Sequence, residues 1–340
     1  MQSRTELIRN AAENDLLTFI SVVAPKQLLG AVHEEMIAWW YREDAGDFQL
    51  VLLPRGHQKS RMVAYRVAWE LTLNPAETLL YLSATSGLAE QQLYFIKNII
   101  TSPRYRALWP HMVNQEEAKR ERWNQNEIIV DHPIRREAGI RDPSIFTAGT
   151  TTNVTGLHCT KAVMDDIVVP GNAYTQDGRN KVAAMYSQLS SIEEPGATEW
   201  VVGTRYHPRD LYDDLLQMTQ PEYDDHGNTI DEKSVYEVFE RVVEESGEFL
   251  WPRQQREDGK WFGFNQEVLG TIKAKYLDKT QFYAQYYNNP NDPTQKAIPA
   301  ERFQYYDKKH LRLEDGFWWI KDRRLSVFAA IDFAFSRSKK

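Results

Sequence analysis

The chain has 340 residues, with 41 Lys or Arg, 48 Asp or Glu and one cysteine. That length exceeds one small module and suits a large α/β domain with appendages, or two domains. With 42% apolar and 12% aromatic residues, disorder throughout is excluded, and the lone Cys159 excludes both an internal disulfide framework and a multi-cysteine zinc site. One cysteine fits a reducing compartment. The start, Met1-Gln-Ser-Arg-Thr, lacks the apolar core of a signal peptide. No window approaches the roughly 18 uncharged apolar residues of a membrane-spanning helix. The net charge of -7 sits between Glu222 and Glu248, where ten acids face two bases. The remainder is close to neutral, so the acidic balance does not argue against a nucleic-acid partner.

Residues 3–41 read as two helices separated at Pro25. Phe48–Leu53 is a short apolar run of the kind that forms a buried parallel strand. A helix follows over Arg61–Leu73, then a strand at Thr78–Ser83 and a helix at Leu88–Ile100. Glu127–Asp131, Ser144–Phe146, Lys161–Met164 and Glu199–Gly203 read as further strands. The alternation predicts a parallel sheet with helices on both faces. Beyond Gln220, Asp224–Asn228 carries hairpin-turn chemistry, Val235–Val242 alternates like a half-exposed strand, and Phe264–Tyr286 is Tyr-rich and helical. Asn288–Pro293 reads as a linker, and Leu325–Ile331 as a strand ending at Asp332.

Three segments carry chemistry. Leu53-Pro-Arg-Gly-His-Gln-Lys-Ser60 follows a strand and opens a helix. A bound phosphate needs amides at a helix N-terminus, a lysine for the β/γ oxygens and a hydroxyl for Mg²⁺. Lys59 and Ser60 supply the last two. The pattern departs from Gly-x4-Gly-Lys-Ser/Thr, with Leu53 at the first glycine and Gln58 at the second. An ordinary strand-to-helix turn with a solvated lysine is the competing reading of this segment alone. Lys161-Ala-Val-Met-Asp-Asp166 ends a strand with two acids. Asp165 suits the carboxylate that holds Mg²⁺, and Asp166 the carboxylate that activates a water. Val201-Val-Gly-Thr-Arg-Tyr-His-Pro-Arg-Asp-Leu211 again runs from strand through a polar turn to a helix, and Thr204 could sense a γ-phosphate.

In this order the segments resemble the large terminase subunit of tailed bacteriophages. Pro54-Arg-Gly-His-Gln-Lys-Ser60 is similar to that family's Walker A loop, which carries an early arginine. Val154–His158 and Val163–Ile167 are similar to its Thr-Gly element and Walker B strand, and Gly203–Tyr212 to its coupling motif. Trp251-Pro252 and Gln281–Pro290 are similar to its interdomain stretch, and Ile331–Ser336 to the first strand of its RNase H-like nuclease.

The resemblance implies an ATP-hydrolysing motor that moves viral dsDNA into procapsids, with an ASCE-type P-loop NTPase fold. The implied organisation is a helical segment at 1–45, an ATPase core at 46–220, a linker or lid subdomain at 221–310 and an incomplete nuclease start at 311–340. Pro54, Arg55, Gly56, His57, Gln58, Lys59 and Ser60 would bind ATP. Ser60 and Asp165 would hold Mg²⁺. Asp166 would be the catalytic carboxylate, Arg55 a charge-stabilising arginine and Thr204 the coupling residue. Asp332 would ligate Mg²⁺ or Mn²⁺ in a nuclease. Its partner carboxylates lack a family match, so ATP hydrolysis without DNA cleavage is the expectation. The implied partners are dsDNA, the portal protein, the small terminase subunit and further copies in a ring, in the host cytoplasm and on the procapsid portal, with no membrane.

The sequence departs from the family in the nuclease carboxylates expected beside Asp332, which have no match, and at further positions. Gln58 stands for a glycine, and Asp166 is one methylene shorter than the usual Glu. His158 occupies the place of an arginine that reaches the neighbouring subunit, and a neutral imidazole is a poor substitute for a permanent cation. Arg135, Arg136 and Arg141 are the candidates to replace it. Gln27 and His33 are candidates near the adenine, and Lys119–Trp123 with Arg135-Arg136 near DNA, but a polar helix surface is the preferred reading of the first two and a solvated charged face of the others. A helicase-like P-loop ATPase and a non-catalytic interaction protein on a P-loop scaffold are the alternatives.

Overall fold

The computed structural model describes residues 3–224, 226–291 and 308–326. The chain divides into two units, Met1–Asp292 and Pro293–Lys340.

The first unit opens with helices α1 (Arg4–Asn14), α2 (Leu16–Val23) and α3 (Ala31–Trp40). There are three rather than the expected two, because Asp15 is extended and its carboxylate caps α2, accepting from Thr18 N at 2.7 Å. Strand β1 (Phe48–Leu52) leads through the loop into α4 (Lys59–Leu73). Next come β2 (Leu79–Ser83), α5 (Ser86–Ile100), α6 (Pro103–Leu108) and β3 (Glu127–Ile128). The expected strand at Glu127–Asp131 shrinks to two residues because the amides beyond it bond elsewhere: Ile129 N to Arg122 O, Val130 N to Ser144 Oγ and Asp131 N to Met112 O. After α7 (Ile134–Glu137) come β4 (Ile145–Gly149), β5 (Cys159–Asp165), α8 (Pro170–Ala173), α9 (Gln176–Leu189), β6 (Glu193–Gly203) and α10 (Leu211–Gln217). Strands β7 (Thr219–Tyr223) and β8 (Thr229–Ser234) pair antiparallel, as a hairpin around the expected turn segment would. Strand β9 (Glu237–Glu240) follows. Two short hairpins come next, β10 (Glu244–Glu245) with β11 (Glu248–Phe249), and β12 (Gln254–Gln255) with β13 (Trp261–Phe262). The predicted helix at Phe264–Tyr286 is two, α11 (Gln266–Lys275) and α12 (Lys279–Tyr287), since Asp278 caps the second through Thr280 N.

Among the described residues the main sheet runs β3-β4-β2-β5-β6-β1-β9. All neighbours pair in parallel except the antiparallel edge strand β3. Strand β9, expected to be half-exposed, completes this sheet beside β1 and buries Phe239. Alternate residues serve two cores. Val51, Leu53, Tyr81, Val163 and Val202 pack under α1–α5, while Leu50, Leu52, Leu82, Met164 and Val201 pack with Val182, Met185 and Leu189 of α9 and Leu211 and Leu215 of α10. Strands covered on both faces read as continuous apolar runs, which is why β1, β2 and β5 were visible in the sequence. This is the mainly parallel α/β arrangement of a P-loop NTPase, with strand β6 between the loop-bearing β1 and the acid-bearing β5.

In the second unit, β14 (Leu311–Glu314), β15 (Phe317–Ile320) and β16 (Arg323–Arg324) form an antiparallel meander. No helix among the described residues is long and apolar enough to cross a membrane. The strand expected at Leu325–Ile331 and the metal ligand expected at Asp332 lie largely or wholly outside the described residues.

Candidate active site

The loop between β1 and α4 ends with Gln58 in the left-handed region, φ 55°. Glycine takes this conformation at little cost, whereas a side chain costs roughly 1–2 kcal/mol there. Gln58 nonetheless holds the turn, and its Oε1 accepts from Gln27 Nε2 at 2.6 Å. Helix geometry leaves the amides of Lys59, Ser60 and Arg61 without intrahelical acceptors. Met62 N is the first to bond back, to Gln58 O at 3.0 Å. These donors and the positive end of α4 suit an anion.

The carboxylates arrive from β5. Ser60 Oγ donates to Asp165 Oδ1 at 2.7 Å, and Tyr81 OH donates to Asp165 Oδ2 at 3.0 Å. Lys59 Nζ lies 3.2 Å from Asp166 Oδ1, with the lysine almost wholly buried. Asp166 itself is left-handed, φ 47°, which an aspartate tolerates better than most residues, and its amide donates to Val202 O on β6. Burial, and then the charge of Asp166, push the Asp165 carboxyl upward, while Ser60, Lys59 and Tyr81 pull it down. Burial keeps the Tyr81 phenol neutral, so its proton is available to donate to Asp165. Asp165 and Ser60 form a hard oxygen pair suited to Mg²⁺. Among the described residues no three His, Cys, Asp or Glu side chains gather as a metal site, so phosphate oxygens and waters would complete the shell.

Thr204 lies beneath the loop, with its Oγ1 donating to Leu53 O at 3.4 Å, and Leu53 N donating to Gly203 O. Gly203 is required by space, since an added Cβ would meet the Tyr212 hydroxyl at 2.1 Å. Arg205 is committed to structure, with Nε 2.9 Å from the buried Asp210. Arg55 reaches Gln285 of α12, donating from Nη1 to Oε1 at 2.8 Å and from its amide to Gln285 O at 3.0 Å.

The His57 ring, expected at the nucleotide, turns into the core instead. It stacks on Phe264 with centroids 4.9 Å apart and planes 7° apart. Burial lowers its pKa to about 4, so it is neutral. Pro54 is buried as well. His33 is also internal rather than a base contact. Gly30 N donates to its Nδ1 at 2.8 Å, so Nε2 carries the proton and donates to His57 O at 3.1 Å. His33 therefore holds the loop backbone. Gln27, by contrast, does reach the site, accepting from Arg61 Nη1 at 3.2 Å as well as contacting Gln58.

A cleft of about 790 Å³ opens over the loop. Arg55, Gly56, Lys59, Ser60 and Asp166 line one part of it, and Gln91, Gln92 and Phe95 of α5 another. Arg256, Lys260 and Phe262 of the β12–β13 hairpin also line it. The sequence reading missed the α5 and hairpin residues. Two-residue strands have no readable period, and nothing local ties position 260 to position 59.

No family model matches the chain. A 163-residue stretch is 28% identical to the protein of Enterobacteria phage T3 named "Terminase, large subunit", over 47% of this chain and 26% of that protein. This chain is similar to large terminase subunits. It spans about a quarter of the length of that curated relative. Among solved structures, a mutant large terminase ATPase domain of Thermus phage P74-26 aligns with a TM-score of 0.49 at 13% identity, over 80% of this chain and 97% of that one. The large terminase of bacteriophage HK97 aligns with a TM-score of 0.40 at 13% identity, over 64% of this chain and 42% of that one.

Of the arginines considered as trans-acting, Arg135 is spent internally. It is buried and donates to the carbonyls of Pro75, Glu77 and Asp142. Arg136 is exposed, and Arg141 is exposed with one bond to Gly156 O. His158 is 3.8 Å from Asp142.

Proposed function

We propose that the chain is the ATPase of a viral DNA-packaging motor, binding MgATP between the Lys59 loop and the Asp165-Asp166 strand end. The observation that carries this reading is the pairing of Ser60 with Asp165 and of Lys59 with Asp166, between the start of α4 and the end of β5, elements far apart in sequence. Bound Mg²⁺ would sit with Ser60 and Asp165 and neutralise phosphate oxygens. An incoming triphosphate competes for Lys59 and frees Asp166 from its ion pair. Asp166 then orients a water and takes its proton. The water oxygen bonds to the γ-phosphorus, and the bond from that phosphorus to the β-bridging oxygen breaks with its electron pair on ADP. Arg55 would stabilise the transferring group after leaving Gln285, and Thr204 would report the change to β6 and α10.

The part played by dsDNA, the portal protein, the small subunit and a ring of copies rests on the resemblance and on the name of the phage T3 relative. A helicase would be expected to carry further motif arginines after the coupling segment; the two arginines seen are Arg205, which is committed to Asp210, and Arg209, which is exposed, both within that segment. Removal of the lysine ammonium tests the reading: Lys59→Ala should weaken ATP binding by about tenfold to a hundredfold, as loss of a charge-assisted contact does. Equilibrium binding of a fluorescent ATP analogue measures it, and wild-type affinity would refute the site.

A further inference from the structure

The cleft contains more positive charge than its loop accounts for. Arg55, Lys59, Arg61, Arg256 and Lys260 line it against a single lining acid, Asp166. Four of these cations have polar partners: Arg55 with Gln285, Lys59 with Asp166, Arg61 with Gln27, and Arg256 with Asp258 at 2.6 and 2.9 Å. Among the described residues Lys260 alone of the five has no hydrogen bond or ion pair at its charged end, which sits 5.7 Å from the Phe262 ring centre.

The hairpin that bears it is fastened to the loop from several directions. Phe262 stacks on Trp251, with centroids 5.8 Å apart, and Trp251 packs edge-on against His33 at 4.7 Å. Phe264, just past β13, stacks on His57 and lies so close to Gly56 that an added Cβ would be 3.1 Å from its ring. Arg256 Nη1 donates to Lys26 O at 3.2 Å. Lys260 is thus carried on a support whose position is set by the phosphate loop itself.

We infer that Lys260 is a phosphate contact acting within its own chain, meeting the polyphosphate of a nucleoside triphosphate in the cleft that it lines together with Lys59. This rests on the ATP reading above and extends it. Charge on a polyphosphate is spread over many oxygens, and on the transferring group over three equatorial ones, so contacts beyond Lys59, Arg55 and Mg²⁺ add binding. Lys260, a further cation lining the same cleft, supplies part of the remainder.

The test compares Lys260→Gln and Lys260→Arg with wild type, by equilibrium binding of ATP and AMP at concentrations where light scattering shows a monomer. The expected result is a loss of about tenfold in ATP affinity for Lys260→Gln, unchanged AMP affinity, and recovery in Lys260→Arg. Lys260 is exposed, and thermal melting checks that the variants fold. Unchanged ATP affinity in Lys260→Gln overturns the assignment. So does an equal loss for AMP, which would make the residue a prop for the cleft. Lys59→Ala in the same assay separates the two readings. If it loses ATP and Lys260→Gln does not, only the Lys260 assignment falls. If Lys59→Ala binds like wild type, the ATP site itself is wrong.

Discussion

Asp165 and Asp166 are neighbours in sequence with opposite surroundings. Asp165 is buried and receives two hydroxyl donors, from Ser60 and Tyr81. Asp166 takes a left-handed turn out of the strand and meets Lys59. The first arrangement suits a metal ligand and the second a group that can be released toward water. Asp166→Asn should therefore leave nucleotide binding nearly intact and slow hydrolysis by about a hundredfold to ten-thousandfold, the usual contribution of a positioned base. Asp165→Asn should weaken Mg²⁺-dependent binding as well. Steady-state phosphate release, with binding measured with and without Mg²⁺, separates the two. Equal and mild effects would reduce the pair to a solvated strand end. The acids were legible in the sequence because they close an apolar run. Tyr81 was not singled out, because a tyrosine in a buried strand reads as core until its hydroxyl's partner is seen.

At the scale of elements, the strands that carry the site were the readable ones, since burial on both faces writes an unbroken apolar run. Boundaries set by a single side chain were harder, as with the Asp15 cap that splits the first helix. The second wall of the cleft was the least legible, because it depends on aromatic packing between residues more than two hundred positions apart. Trp251 is its pivot. It is 1% exposed, touches His33 and Phe262, and approaches Gly30 so closely that an added Cβ would be 2.5 Å from its ring. Trp251→Ala should cost about 3–5 kcal/mol and lower the Tm by on the order of 10 °C. It should also weaken ATP binding at temperatures where the protein stays folded, because the hairpin loses its anchor on the loop. Trp251→Phe should recover part of both. Calorimetry and nucleotide titration on the same samples check this. A stability loss with unchanged affinity would detach the hairpin from the site.

For the whole molecule, one buried acid links folding to pH. Glu199 lies on β6, 4% exposed, on the face that packs against α9. The Tyr236 hydroxyl donates to its Oε2, and Tyr186 OH lies 3.0 Å from Tyr236 OH. Among the described residues no base forms an ion pair with it, and Glu193 adds like charge. Burial first, and then Glu193, raise its pKa from 4.5 to about 8 against the opposing pull of the Tyr236 hydrogen bond. The folded state therefore holds a proton that the unfolded chain has already lost. A raised folded pKa contributes stability that is complete below pH 4.5 and is lost as pH rises through about 8. Each unit of difference is worth roughly 1.4 kcal/mol. Glu199→Gln keeps the shape and removes the titration. Wild type should lose stability relative to this variant between pH 4.5 and 8, and the variant should melt higher than wild type at the upper end. The difference in Tm between the two proteins across that range isolates this group together with its coupling to Glu193, since groups that do not interact with Glu199 titrate alike in both. A difference that does not vary with pH would mean that Glu199 is ionised in the folded protein, and that water or an unrecognised cation reaches it behind the strand that leads to Thr204.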